Sequence, residues 1–175
     1  IEQRGSQSRV VKIALYQGLY TRYRGLENLV RACEFLCRDV ILVMRGYGPI
    51  EAKLRHIAEP FGNCRFEEPV PPSQLVSAAS SADIGIVPYP PVNVNNYFAS
   101  PNKIFEYIQA GLPIVGSGLP FLRKIVIENE IGHIFDPRDP KDIANSINMA
   151  TREERLRILK NNVLNIRHRY SWDEE

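Results

Sequence analysis

Five residues close together in the chain have the types needed to hold a negatively charged group beside a sugar: Ser100, Pro101, Asn102, Lys103 and Glu106. Ser100 is a good N-cap and Pro101 suits the first helical position, so their order predicts a helix that starts at a loop. The amino end of a helix leaves backbone N–H groups without partners, here those of Asn102 and Lys103, and its dipole favours anions. With the Lys103 ammonium added, that end is suited to a diphosphate. Glu106 lies three residues beyond Lys103 on the same helix face, where its carboxylate can accept two hydrogen bonds from a sugar diol such as the ribose hydroxyls. The same spacing also permits a surface pair between Lys103 and Glu106, with Ser100 a cap and nothing more. Taken alone, these residues leave both readings open.

A helix end can present its amides to a ligand only where a scaffold holds it at an open edge, and the rest of the chain predicts such a scaffold. Short apolar runs rich in β-branched residues alternate with stretches of helical period. The runs read as strands are Val10 to Gln17, Val40 to Met44, Cys64 to Phe66, Ile84 to Val87 and Pro113 to Val115, with a weaker one from His133 to Phe135. Most are apolar throughout, as strands covered on both faces must be. Between them Leu26, Leu29, Val30, Cys33 and Leu36 recur at helical spacing, as do Ile50, Leu54, Ile57, Ala58 and Phe61. Each set makes one buried stripe. Further helices are expected at Leu75, Val76 and Ala79, at Ile104 to Ile108 with a stop at Gly111, from Phe121 to Glu128, and from Pro140 through Ile143, Ala144 and Ile147. Right-handed crossovers wind these elements into an α/β fold, a Rossmann-like three-layer α/β/α sandwich with a parallel sheet of about six strands. Its loops gather at the carboxyl edge of the sheet, where any ligand should sit. The least regular of them runs from Pro88 to Ala99, just ahead of the helix that carries Lys103.

Composition narrows the function classes. A chain of 175 residues fits one ordinary domain with its own core, and a net charge of +2 gives no reason to invoke nucleic acid. Cys33, Cys37 and Cys64 read as reduced thiols, and His56, His133 and His168 are too scattered to complete a metal site with them, so no metal is expected. No run approaches the length of a membrane span and no signal peptide opens the sequence. A cytoplasmic location is the expectation. Arg45-Gly46-Tyr47-Gly48-Pro49 is not a dinucleotide fingerprint, because Glu51 stands where the third glycine belongs, which disfavours a nicotinamide-binding domain.

The run from Ser100 to Val115 resembles the "SPNKxFEYxxxGxPVV" signature in one branch of the group-one retaining glycosyltransferases of the GT-B fold. In that family the second glutamate of an E-x7-E motif holds the donor's ribose, and Glu106 falls on it. The first glutamate, which contacts the donor sugar, is replaced by Phe98, so the resemblance assigns recognition there to backbone groups from Phe98 through Ala99, Ser100 and Pro101 to Asn102. Tyr16 to Leu26 is similar to the family's "GRLxxxKG" loop, which braces the diphosphate with an arginine and a lysine. Gly18 takes the glycine's place, Leu19 the arginine's and Arg24 the lysine's, with Lys103 positioned to supply a second cation. Gly46 lies in a stretch that resembles the family's "GxGP" turn. Phe66 to Leu75 resembles "FxGxV(x4)L", whose valine backbone reads the nucleotide base, here Val70 with Glu68 in place of the glycine. The matches follow family order, and Asp83 to Pro88 fits the strand ahead of the donor loop.

The resemblance implies a donor-binding domain that takes a UDP- or GDP-sugar as substrate, with no cofactor. Transfer to an acceptor hydroxyl would retain anomeric configuration, in polysaccharide or glycoconjugate assembly, while Arg24 and Lys103 stabilise the leaving diphosphate. It also implies an organisation in which residues 1–9 are a linker from a missing N-terminal domain, 10–170 bind the nucleotide sugar, and 171–175 begin a crossover helix. The implied partners are that N-terminal domain, the donor and a carbohydrate or lipid-linked acceptor, with peripheral attachment to a membrane through the missing half. A nucleotide-sugar epimerase half-domain and a catalytically silent nucleotide-sugar-binding subunit share these features and stay open as alternatives.

Overall fold

A computed structural model describes residues 10–92 and 101–170. Its centre is a six-stranded parallel sheet in the order β3-β2-β1-β4-β5-β6. The strands are β1 (Lys12–Gln17), β2 (Val40–Arg45), β3 (Cys64–Glu67), β4 (Ile84–Val87), β5 (Ile114–Ser117) and β6 (Gly132–Phe135). Among the described residues seven α-helices accompany them: α1 (Leu26–Arg31), α2 (Glu51–Ala58), α3 (Leu75–Ala79), α4 (Asn102–Gln109), α5 (Pro120–Glu128), α6 (Pro140–Thr151) and α7 (Glu153–Ile166). This is the expected α/β sandwich. The proposed linker, residues 1–9, and the proposed crossover start, 171–175, lie outside the described residues.

The apolar runs form strands because both faces of the sheet are covered. Every residue of β4 and β5 is buried, whereas the edge strand β3 alternates between partly buried and exposed positions. Right-handed connections place α1 and α2 on one face, with α6 packed against α1, and α3 and α4 together on the other. The chain moves outward from β1 to β3, then returns to pair β4 with β1, so the winding direction reverses between these two central strands. Such a reversal opens a crevice at the carboxyl edge.

Several boundaries shift from expectation. Val10 and Val11 are 72% and 47% exposed and precede β1 rather than opening it. β2 continues through Arg45, and β5 runs over Ile114–Ser117, starting one residue later than expected and ending two later. The first helical stripe ends early: α1 tightens into a 3-10 turn over Ala32–Phe35. Pro101 occupies the N-cap position of α4 with extended backbone (φ −66°, ψ 129°), not the first helical position, and its carbonyl accepts from the Ile104 N–H at 3.0 Å. Among the described residues, no helix is long and apolar enough to cross a membrane.

Candidate functional site

Loops leaving β1, β2 and β4 meet the first turn of α4 at the crevice. After β1 and β2 the chains stay side by side: the Gly18 N–H donates to the Arg45 carbonyl at 2.9 Å, and the Tyr20 N–H to the Tyr47 carbonyl at 2.7 Å. Gly46, at φ +154°, makes this approach possible, because a side chain there would run into the Gly18 carbonyl. Gly18 and Gly46 are thus joined through their backbones. Beneath them Gln17, Arg45 and Glu67 tie three strand ends together, with Arg45 donating to Glu67 at 2.7 Å and to Gln17 at 3.2 Å. The Gln17 amide donates in turn to the Leu75 carbonyl at 3.2 Å.

Arg24 is placed by its neighbour. Gly25 sits at φ +73°, and a Cβ on it would strike the Pro88 carbonyl, so the loop after β1 presses directly on the loop after β4. One residue earlier, the Arg24 guanidinium carbon lies 4.6 Å from the centroid of the buried Tyr89 ring. Lys103 arrives from α4, which Tyr107 fastens to β1. The Tyr107 hydroxyl accepts from the Gln17 N–H at 3.0 Å and donates to the Leu15 carbonyl at 3.2 Å. Gly85 in β4 leaves the space for its ring. Lys103 lies one turn earlier on α4, and its side chain crosses Gly18, with Nζ 5.6 Å from the Tyr16 centroid and 5.9 Å from that of Tyr89.

Two cations from distant parts of the chain therefore share one aromatic ring. Among the described residues, neither Arg24 nor Lys103 forms an ion pair with a carboxylate. Burial pushes the hydroxyls of Tyr16, near the Lys103 ammonium, and of Tyr107 well above the usual phenol range. Tyr16 also donates to the Leu19 carbonyl at 3.0 Å, fixing the loop whose Leu19 side chain remains 46% exposed. Two cations with no carboxylate partner among the described residues, beside the start of a helix, suit a ligand carrying two or more negative charges.

The other expected residues stand as follows. Glu106 is half-buried, and no ion pair links it to Lys103 among the described residues. Asn102 is exposed at the first helical position of α4. Val70 is partly buried in the loop after β3, where no hydrogen bond among the described residues ties it to the cation pair. Phe98, Ala99 and Ser100 lie outside the described residues. Among those residues, no group of His, Cys, Asp or Glu side chains is arranged to hold a metal ion. Sequence reasoning gave no role to Tyr89, Tyr107 or Gly25, although Tyr107 and Gly25 stand within the motifs it matched. The one local signal for Tyr89 was an aromatic between two prolines at the carboxyl end of an all-apolar strand.

Known proteins carry the same scaffold. The family described as Glycosyl transferases group 1 matches residues 11–152. A D-inositol 3-phosphate glycosyltransferase from Corynebacterium glutamicum (strain R) is 28% identical over 159 residues, which are 84% of this chain and 37% of that protein. A second, from Corynebacterium diphtheriae, is 28% identical over 141 residues, 74% of this chain and 32% of that one. The chain thus spans about a third of the length of the curated relatives it matches. Among solved structures, the sucrose-phosphate synthase of Thermosynechococcus elongatus superposes with a TM-score of 0.77 at 23% identity, over 94% of this chain and 42% of that one. The C-terminal domain of a glycosyl transferase group 1 family protein from Francisella tularensis gives 0.74 at 15% identity, covering 93% and 87% of the two chains.

Proposed function

The chain belongs to the group 1 glycosyl transferases, and we propose that it is the part of such an enzyme that binds the nucleoside-diphosphate sugar, within the branch marked by Ser100-Pro101-Asn102-Lys103. The observation that carries this reading is the convergence of Arg24 and Lys103 on Tyr89, beside the start of α4, at the carboxyl edge where the sheet reverses direction. The likeness to a C-terminal domain of a group 1 protein supports the assignment of this half. In the proposed reaction an acceptor hydroxyl attacks the sugar from the face that the diphosphate leaves, so configuration is retained. The C–O bond to the diphosphate breaks, its electron pair stays on the departing oxygen, a bond forms from the acceptor oxygen to the sugar carbon, and the acceptor's proton passes to the departing diphosphate. Negative charge grows on the diphosphate, and Arg24, Lys103 and the amides of Asn102 and Lys103 are the groups placed to stabilise it. Glu106 is assigned the ribose hydroxyls and the Val70 backbone the base. The acceptor is a carbohydrate or a lipid-linked glycan, in keeping with polysaccharide or glycoconjugate assembly.

Calorimetric titration of UDP, GDP, uridine and guanosine tests the assignment. Charge-assisted contacts to phosphate are worth about 1.5–3 kcal/mol, so Lys103→Ala and Arg24→Ala should each weaken diphosphate binding roughly tenfold to a hundredfold while nucleoside binding changes little. Equal losses for nucleoside and diphosphate would refute the assignment of these cations, and a wild-type chain that binds neither UDP nor GDP would refute donor binding.

A further inference from the structure

We propose that Tyr89 is a positioning residue of this site: its ring holds Arg24 and Lys103 as a pair, so that an incoming diphosphate meets two cations already in place. The inference rests on the donor-binding reading. It begins from a difficulty that any two-cation site faces. Arg and Lys side chains are long and lose considerable rotamer freedom when fixed, and two positive charges held near one another repel. A carboxylate between them would relieve the repulsion, but it would also compete with the phosphates for the same charges. An aromatic face attracts each cation through its quadrupole and carries no net charge to displace.

Tyr89 has the placement this task requires. Its side chain is 5% exposed, so its attraction for cations is little weakened by water. Pro88 and Pro90 restrict the backbone on either side. The contact between Gly25 and the Pro88 carbonyl couples the ring's own loop to the residue next to Arg24. From the other direction Lys103 reaches the ring across Gly18, where a side chain would collide with its Cε and Nζ. The Arg24 guanidinium carbon at 4.6 Å and the Lys103 ammonium at 5.9 Å from one centroid are both within cation–π range. The interaction belongs to the ring, so the hydroxyl should be dispensable.

The test compares Tyr89→Phe, which keeps the ring, with Tyr89→Leu and Tyr89→Met, which fill much of the space without one. Titration with UDP, GDP, pyrophosphate, uridine and guanosine reads the effect. Tyr89→Phe should stay within about twofold of the wild type for every ligand, and the two aliphatic variants should lose about tenfold for pyrophosphate and the diphosphates and little for the nucleosides. Aliphatic variants with wild-type diphosphate affinity would overturn the proposal. So would a Tyr89→Phe loss as large as theirs, which would assign the role to the hydroxyl. Should both aliphatic variants fail to fold, proton NMR of the wild type still decides: the Arg24 side-chain protons are expected upfield, shifted by the Tyr89 ring current, and ordinary arginine shifts would overturn the proposal. No diphosphate binding by the wild type would sink the donor-binding reading and this inference with it, whereas wild-type binding that is insensitive to Tyr89 would sink the inference alone.

Discussion

Glu106 separates a ribose-binding α4 from a merely well-packed one. Its carboxylate lies on the helix that carries Lys103, half-buried, and it does not spend its charge on that lysine. If it accepts hydrogen bonds from both ribose hydroxyls, Glu106→Gln should weaken ribonucleotide binding by about 1–3 kcal/mol, because an ionised acceptor is replaced by a neutral amide with an unwanted donor. The loss should shrink for 2′-deoxy and 3′-deoxy ligands, in which part of the contact is already missing. Calorimetry on the four protein–ligand combinations of each cycle, one for the 2′-deoxy and one for the 3′-deoxy ligand, measures this coupling directly, and strictly additive effects would remove Glu106 from the site.

At the level of elements, α4 is fastened twice, and only one fastening can be read locally. Its carboxyl end closes as a Schellman turn: the Leu112 N–H donates to the Tyr107 carbonyl at 2.9 Å and the Gly111 N–H to the Ile108 carbonyl at 3.0 Å, with Gly111 at φ +77°. A glycine after an apolar helical stripe announces that stop in the sequence. The attachment to β1 through Tyr107 joins residues 90 and 92 positions apart, and no pattern within one window reveals it. Tyr107→Phe keeps the ring but leaves the buried Gln17 N–H without an acceptor, so stability should fall by about 1–3 kcal/mol. Urea unfolding should show a lower midpoint at unchanged slope, and an unaltered midpoint would show that the hydroxyl does not fasten the helix. The same division runs through the whole fold. Ile84–Val87 was legible to the residue because a strand buried on both faces is one apolar run, whereas the start of β1 was misplaced because exposed Val10 and Val11 carry the same residue types as the strand they precede. Gly18, Arg24, Gly46 and Lys103 were singled out from order and resemblance, and the structure brings them to one sheet edge. Tyr89 and Gly25 were not, because their roles lie in contacts between loops that only the folded sheet brings together.

For the molecule as a whole, topology fixes where the charges gather and also what they can accomplish. The reversal between β1 and β4 opens one crevice, and the loops that line it come from the two central strands and from β2. Every proposed role concerns the diphosphate, the ribose or the base of a donor. None is assigned to the acceptor hydroxyl, and the curated relatives are about three times as long as the region they share with this chain. Transfer between two substrates gains much of its rate from holding them in register, which can be worth about 7–11 kcal/mol. A chain that positions the donor alone forgoes that gain. The 175-residue chain is therefore expected to bind UDP or GDP, seen as a rise in unfolding temperature with ligand concentration, while transferring no sugar to any acceptor supplied in solution. A panel of UDP- and GDP-sugars with simple glycoside acceptors, followed by mass spectrometry, measures the second half of that expectation. Turnover by this chain at the rate of a longer relative would mean that the acceptor site lies on this domain too, at the same carboxyl edge and within reach of Arg24 and Lys103.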